Sequence, residues 1–258
     1  MKVRSNGDRR IGLARAISKL GYGSRSHASE LIRAGRVQLN GNTCRNPEAP
    51  THIDTDRIKK DRIAIDGNQL EELKKIYLML NKPRGIVTTA ADEKGRDTIY
   101  SLLPPNFRWV APVGRLDKAS EGLLLLTNNS EWGANVLDPA NHLKKTYHVQ
   151  IAAVADHQLL QSLEKGVRDE TGELLRATHA AILRGGKKNT WLEIVLEEGK
   201  NRQIRRMLAG LNIEVLRLVR ISVGRVVLGN LAKGKSRELT REEEKSLNRE
   251  DNPRIKIS

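Results

Sequence analysis

Residues 114–128 read Gly-Arg-Leu-Asp-Lys-Ala-Ser-Glu-Gly-Leu-Leu-Leu-Leu-Thr-Asn. The apolar run at residues 123–126 predicts a strand that is buried on both faces, at the centre of a sheet. Asp117 stands just before that strand, between two glycines. A carboxylate that enters an apolar strand is costly unless it is paired or functional, although a turn or capping aspartate is the commoner role. The stretch therefore predicts a central strand and makes Asp117 a candidate functional residue.

Strands are predicted to outnumber helices on both sides of this stretch. Alternating or apolar runs predict strands at residues 77–80, 109–113, 147–154, 174–183, 190–196, 213–218 and 221–227. Helical spacing predicts helices at residues 130–137, 156–165 and 203–209, with Ser130 and Asp156 as N-caps. A turn at Gly185-Gly186 joins two of the strands as a hairpin, which implies antiparallel pairing. The fold class is predicted to be α+β, with a mainly antiparallel sheet.

The amino-acid composition excludes several classes of protein. The chain has 258 residues, 46 Lys and Arg against 31 Asp and Glu, and a net charge of +15. Its length suits two domains, and a hydrophobic content of 38% rules out general disorder. We find no apolar run long enough for a membrane helix, no secretory signal, and a single cysteine, Cys44, so we expect a cytoplasmic protein without disulfides. The excess positive charge favours a polyanionic partner, usually nucleic acid.

The chain is predicted to divide near residues 70–76. Residues 1–75 carry a net charge of +7 and residues 76–258 a net charge of +8, so the charge density is higher in the first segment. We expect a small domain at residues 10–70, a larger one at 76–247, and flexible tails at 1–9 and 248–258. The small domain is predicted to contain two helices followed by short strands.

The two predicted helices of the small domain carry outward-facing cations. Arginine suits phosphate because its planar fork bonds two oxygens at once, although a solvated charged helix face is the commoner meaning of scattered arginines. The elements Ser-Arg at 24–25, Leu-Ile at 31–32, Gly-Arg-Val at 35–37 and Asn-Gly at 40–41 resemble the S4 RNA-binding domain over residues 10–70. The candidate RNA-binding residues here are Lys19, Arg25, Arg33 and Arg36.

Several cofactor patterns are absent or out of context. Residues 229–236 fit a phosphate-loop pattern, but the 22 residues that follow are too few for a parallel nucleotide-binding domain, so we predict a turn. The six histidines form no helical pair and have no cysteine at ligand spacing, so no metal site is expected. Neither a nucleophile elbow nor a glycine-rich dinucleotide or methyl-donor loop is found. No cofactor is therefore expected.

Four further motifs follow one another along the larger segment. They are Asn-Lys-Pro-x-Gly at 81–85, Gly-Arg-Leu-Asp at 114–117, Lys-x-Tyr at 145–147 and Gly-x-Asn-Arg-Gln-Ile-Arg-Arg-Met at 199–207, closed by Leu-x-Arg at 218–220 and Gly224. Together with the S4-like segment, they resemble the RsuA-type pseudouridine synthase family over nearly the whole chain. The resemblance implies a small S4-like domain followed by a catalytic domain that isomerises uridine in RNA, without metal, nucleotide or redox cofactor.

The resemblance also implies roles for individual residues. The catalytic aspartate falls on Asp117, the active-site tyrosine on Tyr147, and the arginine that pairs with the aspartate on Arg205. In such a site the carboxylate acts near the ribose, either by attacking C1′ or by removing a ribose proton, and the sequence leaves both open. Further RNA contacts are expected from Arg115, Lys145, Arg202 and Arg206.

The expected function is therefore conversion of a specific uridine, in ribosomal RNA, to pseudouridine by a monomeric enzyme. A non-catalytic S4-type protein that binds RNA or ribosomes is the alternative, and the retained set of Asp117, Tyr147 and Arg205 favours the enzyme. An S4-linked RNA methyltransferase would need a glycine-rich methyl-donor loop after a strand, which the sequence lacks.

Overall fold

The computed structural model describes residues 10–52, 61–71, 73–89, 95–104 and 109–248. The predicted tails, apart from Asn248, and residue Glu72 at the predicted division of the chain lie outside these ranges. The chain divides into two compact units, one built on residues up to Ile76 and the other on residues from Tyr77 onward, with short segments near 109–111 and 128–130 assigned to the first. Every helix among the described residues is too short or too polar to span a bilayer.

The first unit packs two helices against short strands, as its apolar spacing predicts. Helix α1 spans Leu13–Lys19 and helix α2 spans Arg25–Arg33. Ser24 is the N-cap of α2, because its hydroxyl accepts a hydrogen bond from the backbone N–H of His27 at 3.1 Å. The inward faces of both helices form one apolar core with Val37 of β2 and with Ile63 and Leu70 further along the chain. The strands of this unit are β1 (Ile11–Gly12), β2 (Val37–Leu39), β3 (Asn42–Thr43), β4 (Pro50–Thr51), β5 (Ile63–Ile65) and β6 (Asn68–Gln69).

These short strands pair antiparallel. Strand β1 pairs with β4, and a four-stranded sheet has the order β3-β2-β5-β6. Asn40 and Asp66 hold positive φ angles of 53° and 50° in the turns before Gly41 and Gly67. These left-handed positions explain why Asn-Gly and Asp-Gly pairs stand at the two turns.

The second unit is built on a nine-stranded sheet. The order of its main path is β13-β14-β10-β15-β9-β7-β17, with β16 paired to β15 and β8 paired to β9. Along the main path and between β15 and β16, neighbouring strands run antiparallel except β9 and β15, which run parallel. The α+β class with a mainly antiparallel sheet is therefore confirmed. The strands of this unit, including the separate pair β11–β12, are β7 (Tyr77–Lys82), β8 (Ala111–Val113), β9 (Glu121–Thr127), β10 (Lys145–Ile151), β11 (Val167–Arg168), β12 (Leu174–Leu175), β13 (His179–Gly185), β14 (Thr190–Leu196), β15 (Val215–Val223), β16 (Val226–Val227) and β17 (Ser236–Glu238).

Strand β9 is the central strand predicted from the apolar run. All seven of its residues are buried, and it lies between β7 and β15. Its second residue, Gly122, holds a φ of +101°, and a Cβ atom there would lie 2.3 Å from the carbonyl oxygen of Arg220 on β15. Only glycine allows this approach of the two backbones.

Several predicted strands differ from the structure. Strand β15 continues through Val219 and Arg220, where the sequence predicts a break, because both residues extend the ladder to β10 opposite His148 and Tyr147. The strand predicted at 174–183 is two elements, since β12 pairs with β11 while β13 pairs with β14. The strand predicted at 109–113 is shorter and begins at Ala111.

The helices of the second unit cover the sheet in two apolar clusters. The helices are α3 (Ser130–Leu137), α4 (His157–Lys165), α5 (Gln203–Gly210) and α6 (Arg241–Ser246). Asp156 caps α4, as predicted, by accepting from the N–H of Leu159, whereas α3 begins at Ser130 itself. One cluster joins α4 and α5 to strands β10, β14 and β15, and the other joins α3 to β7, β8 and β9.

Candidate active site

A cavity of about 660 Å³ opens in the second unit, and the sequence motifs meet around it. Its walls include residues from the loop before β9, from strands β10 and β15, and from the segment that leads into α5. Asp117, Tyr147, Lys145, Arg115 and Arg202 all line it. The structure thus brings together residues that lie up to 87 positions apart in the chain.

Asp117 begins a tight turn that enters β9. The N–H of Ser120 donates to the carbonyl of Asp117 at 2.9 Å, which closes the turn. Lys82, at the end of β7, is fully buried beneath it. Its ammonium group donates to the carbonyls of Asp117 at 3.1 Å, of Ser120 at 3.0 Å and of Pro83 at 3.1 Å. Lys82 therefore anchors the turn that carries the candidate catalytic carboxylate.

Burial sets the electrostatics of Lys82. Desolvation lowers its pKa to about 8, although the negative charges of Asp117 and Glu121 oppose that shift. No role for this lysine was predicted from the sequence. The available signal was its place in the Asn-Lys-Pro-x-Gly motif, at the end of an otherwise apolar strand.

A second buried carboxylate, Glu121, follows the turn. Its side chain is 4% exposed and accepts from Arg217 at 3.0 and 3.1 Å and from Lys233 at 2.7 Å. Burial raises the pKa of Glu121, but these hydrogen bonds outweigh burial and hold it below its usual value. Lys233 belongs to the segment that fits a phosphate-loop pattern. The predicted turn is confirmed there, since Gly229 and Gly234 hold positive φ angles and a strand follows.

Among the described residues, Asp117 forms an ion pair with Arg202. A carboxylate oxygen of Asp117 lies 3.4 Å from Nη1 of Arg202, and the two side chains are 29% and 50% exposed. Arg202 is the N-cap residue of α5 and holds a left-handed backbone conformation, with φ 49° and ψ 29°. Such a conformation is unfavourable for arginine and is a form of strain that clusters at functional sites.

The resemblance assigned this ion pair to Arg205, and the structure corrects that detail. Arg205 donates instead to the carbonyls of Ala119 at 3.1 Å and Val215 at 3.3 Å. It lies one helical turn further along α5, so it reaches the backbone of the Asp117 turn rather than its carboxylate. Burial and the charge of Arg202 lower the pKa of Arg205, while Asp117 raises it, so Asp117 still acts on Arg205 electrostatically.

Arg206 faces away from this group. It donates to Asp169 from Nε at 2.7 Å, and its Nη2 pairs with both Asp169 and Glu173. A hydrogen bond from Thr171, followed by those from Arg206 and backbone N–H groups, outweighs desolvation and lowers the pKa of Asp169 to about 2. Ile204 and Met207 on the same helix are buried, as their spacing predicts.

Strand β10 contributes a tyrosine and a lysine to the cavity. Tyr147 is half-buried and packs against the α4–α5 cluster. Lys145 donates to the carbonyl of Glu197 at 3.1 Å, and burial, then the charge of Arg220, lowers its pKa. Arg220 also lines the cavity and is 8% exposed. Arg220 belongs to the Leu-x-Arg motif at 218–220, but no role for it was predicted from the sequence. The available signal was an arginine on the core face of a strand.

The candidate RNA-binding residues of the first unit lie on α1, on α2 and before β2. Arg25 and Arg33 are exposed, and Lys19 is half-buried. Arg36 is exposed but pairs with Asp66, with Nε at 2.9 Å from a carboxylate oxygen. Among the described residues, no cluster of three or more His, Cys, Asp or Glu side chains could hold a metal ion.

The chain is similar to several known proteins. Residues 76–210 match the family described as RNA pseudouridylate synthase, and residues 11–50 match the S4 domain. The chain is 34% identical to "Ribosomal large subunit pseudouridine synthase B" of Bacillus subtilis over 91% of its own length and 94% of the relative. It is also 34% identical to an RNA pseudouridine synthase of Aquifex aeolicus, over 90% and 92% of the two chains. A solved "pseudouridylate synthase" structure superposes with a TM-score of 0.62 at 29% identity, covering 92% of this chain and 99% of that one.

These similarities and the α+β catalytic unit define an enzyme class that isomerises uridine within RNA. The chain belongs to the RNA pseudouridylate synthase family, in the RsuA-type group that carries an N-terminal S4 domain. Its expected enzymatic activity and its RNA substrate are confirmed at this level.

Proposed function

We propose that this chain converts a uridine of ribosomal RNA to pseudouridine, with Asp117 as the catalytic carboxylate. The single observation that carries the assignment is the position of Asp117, at the edge of a cavity lined by Tyr147 and several cations. The name of the Bacillus subtilis relative supports ribosomal RNA as the substrate class.

The reaction breaks the N1–C1′ bond of uridine, turns the base and joins C5 to C1′. The hydrogen on C5 leaves and N1 gains one, so atoms and electrons balance without a co-reactant. Asp117 acts at the sugar, either on C1′ or on a ribose proton. Arg202 pairs with the carboxylate of Asp117, and Arg205 holds the backbone of the turn that carries it. Tyr147 stacks on the base and assists loss of the C5 proton.

The target base must leave its stack before it reaches this cavity, at a cost of a few kcal/mol. Contacts to the RNA backbone offset that cost. Arg25 and Arg33 of the S4 unit are proposed to bind phosphates, as is Lys19, and Arg115, Lys145 and Arg202 are proposed to do so around the cavity. Arg36 and Arg206 belong to the same proposed set, but for them, as for Arg202, phosphate must compete with the carboxylates that already pair with them.

The enzyme is proposed to act as a monomer in the cytoplasm. Asp117, Tyr147 and Arg202 of the same chain line one cavity, which supports a site that needs no residue from a second copy. A cytoplasmic location follows from the proposed ribosomal RNA substrate.

The test is Asp117→Asn, assayed by tritium release from ribosomal RNA transcripts labelled at C5 of uridine. We expect loss of turnover with RNA affinity within a few-fold of wild type, because the change removes a carboxylate and leaves the cationic surfaces intact. Asp156→Asn is the matched control, since it makes the same chemical change at an exposed helix cap where asparagine also caps.

Appreciable turnover by Asp117→Asn would contradict the assignment of the catalytic residue. A wild-type protein that binds these RNAs tightly and releases no tritium from any of them would instead favour the non-catalytic RNA-binding alternative.

A further inference from the structure

Arg220 is a buried cation that is only partly satisfied by the protein. It is 8% exposed, and its Nε donates to the carbonyl of Leu123 at 2.7 Å. Within the described part of the chain, its two terminal nitrogens have neither a hydrogen-bond acceptor nor an ion-pair partner. A guanidinium has five N–H groups, so four are left in a residue that lines the cavity. Its terminal nitrogens are not sealed from solvent, so they are open to the cavity, where a ligand can supply acceptors to them.

Lys145 places a second positive charge near Arg220. Burial lowers the pKa of Lys145, and the charge of Arg220 lowers it further. The two residues lie on paired strands, since Tyr147 is opposite Arg220 and Lys145 is two residues before Tyr147 on the same face. Lys145 uses one of its three N–H groups, on the carbonyl of Glu197. Arg220 and Lys145 therefore place two positive charges close together, and both side chains have N–H groups that donate to no acceptor among the residues that the structure describes.

The carboxylates that line the cavity are engaged by other cations. Asp117 pairs with Arg202 at 3.4 Å, and Glu198 pairs with Lys200 at 3.4 Å. Glu197 approaches Lys144 at 3.8 Å and His142 at 3.9 Å, and its charge offsets that of Lys145 only in part. Among the described residues, no carboxylate neutralises Arg220.

We propose that Arg220 and Lys145 form an anion subsite in the cavity, which binds a phosphate group of the RNA next to the target uridine. A phosphate supplies acceptors to the free N–H groups and a charge that offsets both cations, and the guanidinium fork matches two phosphate oxygens. A uracil carbonyl would supply one uncharged acceptor and leave the repulsion in place. The identity of the ligand rests on the proposed function, whereas the presence of an anion site does not.

The experiment compares binding of uridine, uridine 3′-monophosphate and uridine 5′-monophosphate to the full-length protein by calorimetry. We expect at least one monophosphate to bind about 10-fold more tightly than uridine, or better, because hydrogen bonds to charged groups are the strong ones. Arg220→Met should abolish that preference. Lys144→Met should retain it, since it removes the same charge one residue from Lys145 on an exposed side chain outside the cavity lining.

Because Arg220 also holds a buried carbonyl, Lys145→Met provides a second variant that leaves the bond to Leu123 intact. It should weaken the phosphate preference several-fold. Equal binding of uridine and both monophosphates at millimolar concentration, or an unchanged preference in folded Arg220→Met, would overturn the subsite. Inorganic phosphate that competes as strongly as the nucleotide would overturn its assignment to RNA. Turnover of ribosomal RNA is measured in parallel. If the enzyme is active but shows no preference for phosphate, only the anion subsite is overturned. If the protein is inactive but shows the preference, only the proposed function is overturned.

Discussion

Arg205→Lys separates the roles of the three arginines at the start of α5. Lysine keeps the positive charge but cannot bridge the carbonyls of Ala119 and Val215 as the fork does. Hydrogen bonds to charged groups contribute about 1.5–3 kcal/mol each, so loss of one should lower the free energy of unfolding by roughly that amount. Ala119 lies inside the turn that holds Asp117. A displacement of about 1 Å at a reacting group can cost about 100-fold in rate, so we expect at least that loss in turnover.

Affinity for RNA should change little in this variant, because the charge is retained. Arg206→Lys is the matched comparison, since it makes the same substitution on the same helix. Its partners Asp169 and Glu173 belong to the segment between β11 and β12, away from the Asp117 turn. We expect it to lose stability while its turnover at saturating RNA stays near that of wild type. Single-turnover rates on one RNA, with urea unfolding of each variant, measure both effects.

The result that would refute this reasoning is normal turnover by Arg205→Lys together with loss of turnover by Arg202→Lys. The working partner of Asp117 would then be Arg202, which already lies 3.4 Å from the carboxylate. Equal losses of turnover in Arg205→Lys and Arg206→Lys would show that helix stability, rather than support of the turn, governs the rate.

Three further outcomes follow from the structure. Gly122→Ala should lower the free energy of unfolding by roughly 2–5 kcal/mol in a urea titration. The new Cβ would lie 2.3 Å from the carbonyl oxygen of Arg220, and residue 122 holds a φ of +101°. A decrease below about 1 kcal/mol would contradict this packing. Asp169→Asn should reduce the loss of folding stability between about pH 4 and pH 2. The pKa of Asp169 lies at about 2 in the folded protein, so its carboxylate stabilises the fold above the unfolded pKa, and that stabilisation is lost as the pH falls. Acid titrations that are parallel for wild type and variant would exclude this role. Replacing Arg25 and Arg33 together by Gln should weaken RNA binding uniformly and reduce the slope of log affinity against log salt by about 1–2, whereas an unchanged slope would show that these side chains bind no phosphate.

Local patterns in the sequence predict much of the fold. The cap at Asp156, the two helices of the S4 unit and the central strand β9 depend on neighbours a few residues apart, so periodicity and capping chemistry identify them. The order of the motifs was enough to indicate the family. Strand β15 was predicted as two pieces because its continuity depends on hydrogen bonds to β10, which the sequence of β15 does not encode locally.

The arrangement of cations around Asp117 depends on tertiary structure. Arg202 lies 85 residues from Asp117, and its left-handed backbone turns its side chain toward the carboxylate while Arg205 reaches the carbonyls beneath. Lys82 and Arg220 are identified as site residues only from the tertiary structure, because folding buries them and determines which acceptors they reach. The sequence by itself determined which elements form, since helix and strand propensities act over a few residues. Only the packing of β7, β9, β15 and α5 decided which charges meet, because electrostatic and hydrogen-bond partners are set by distances across the fold.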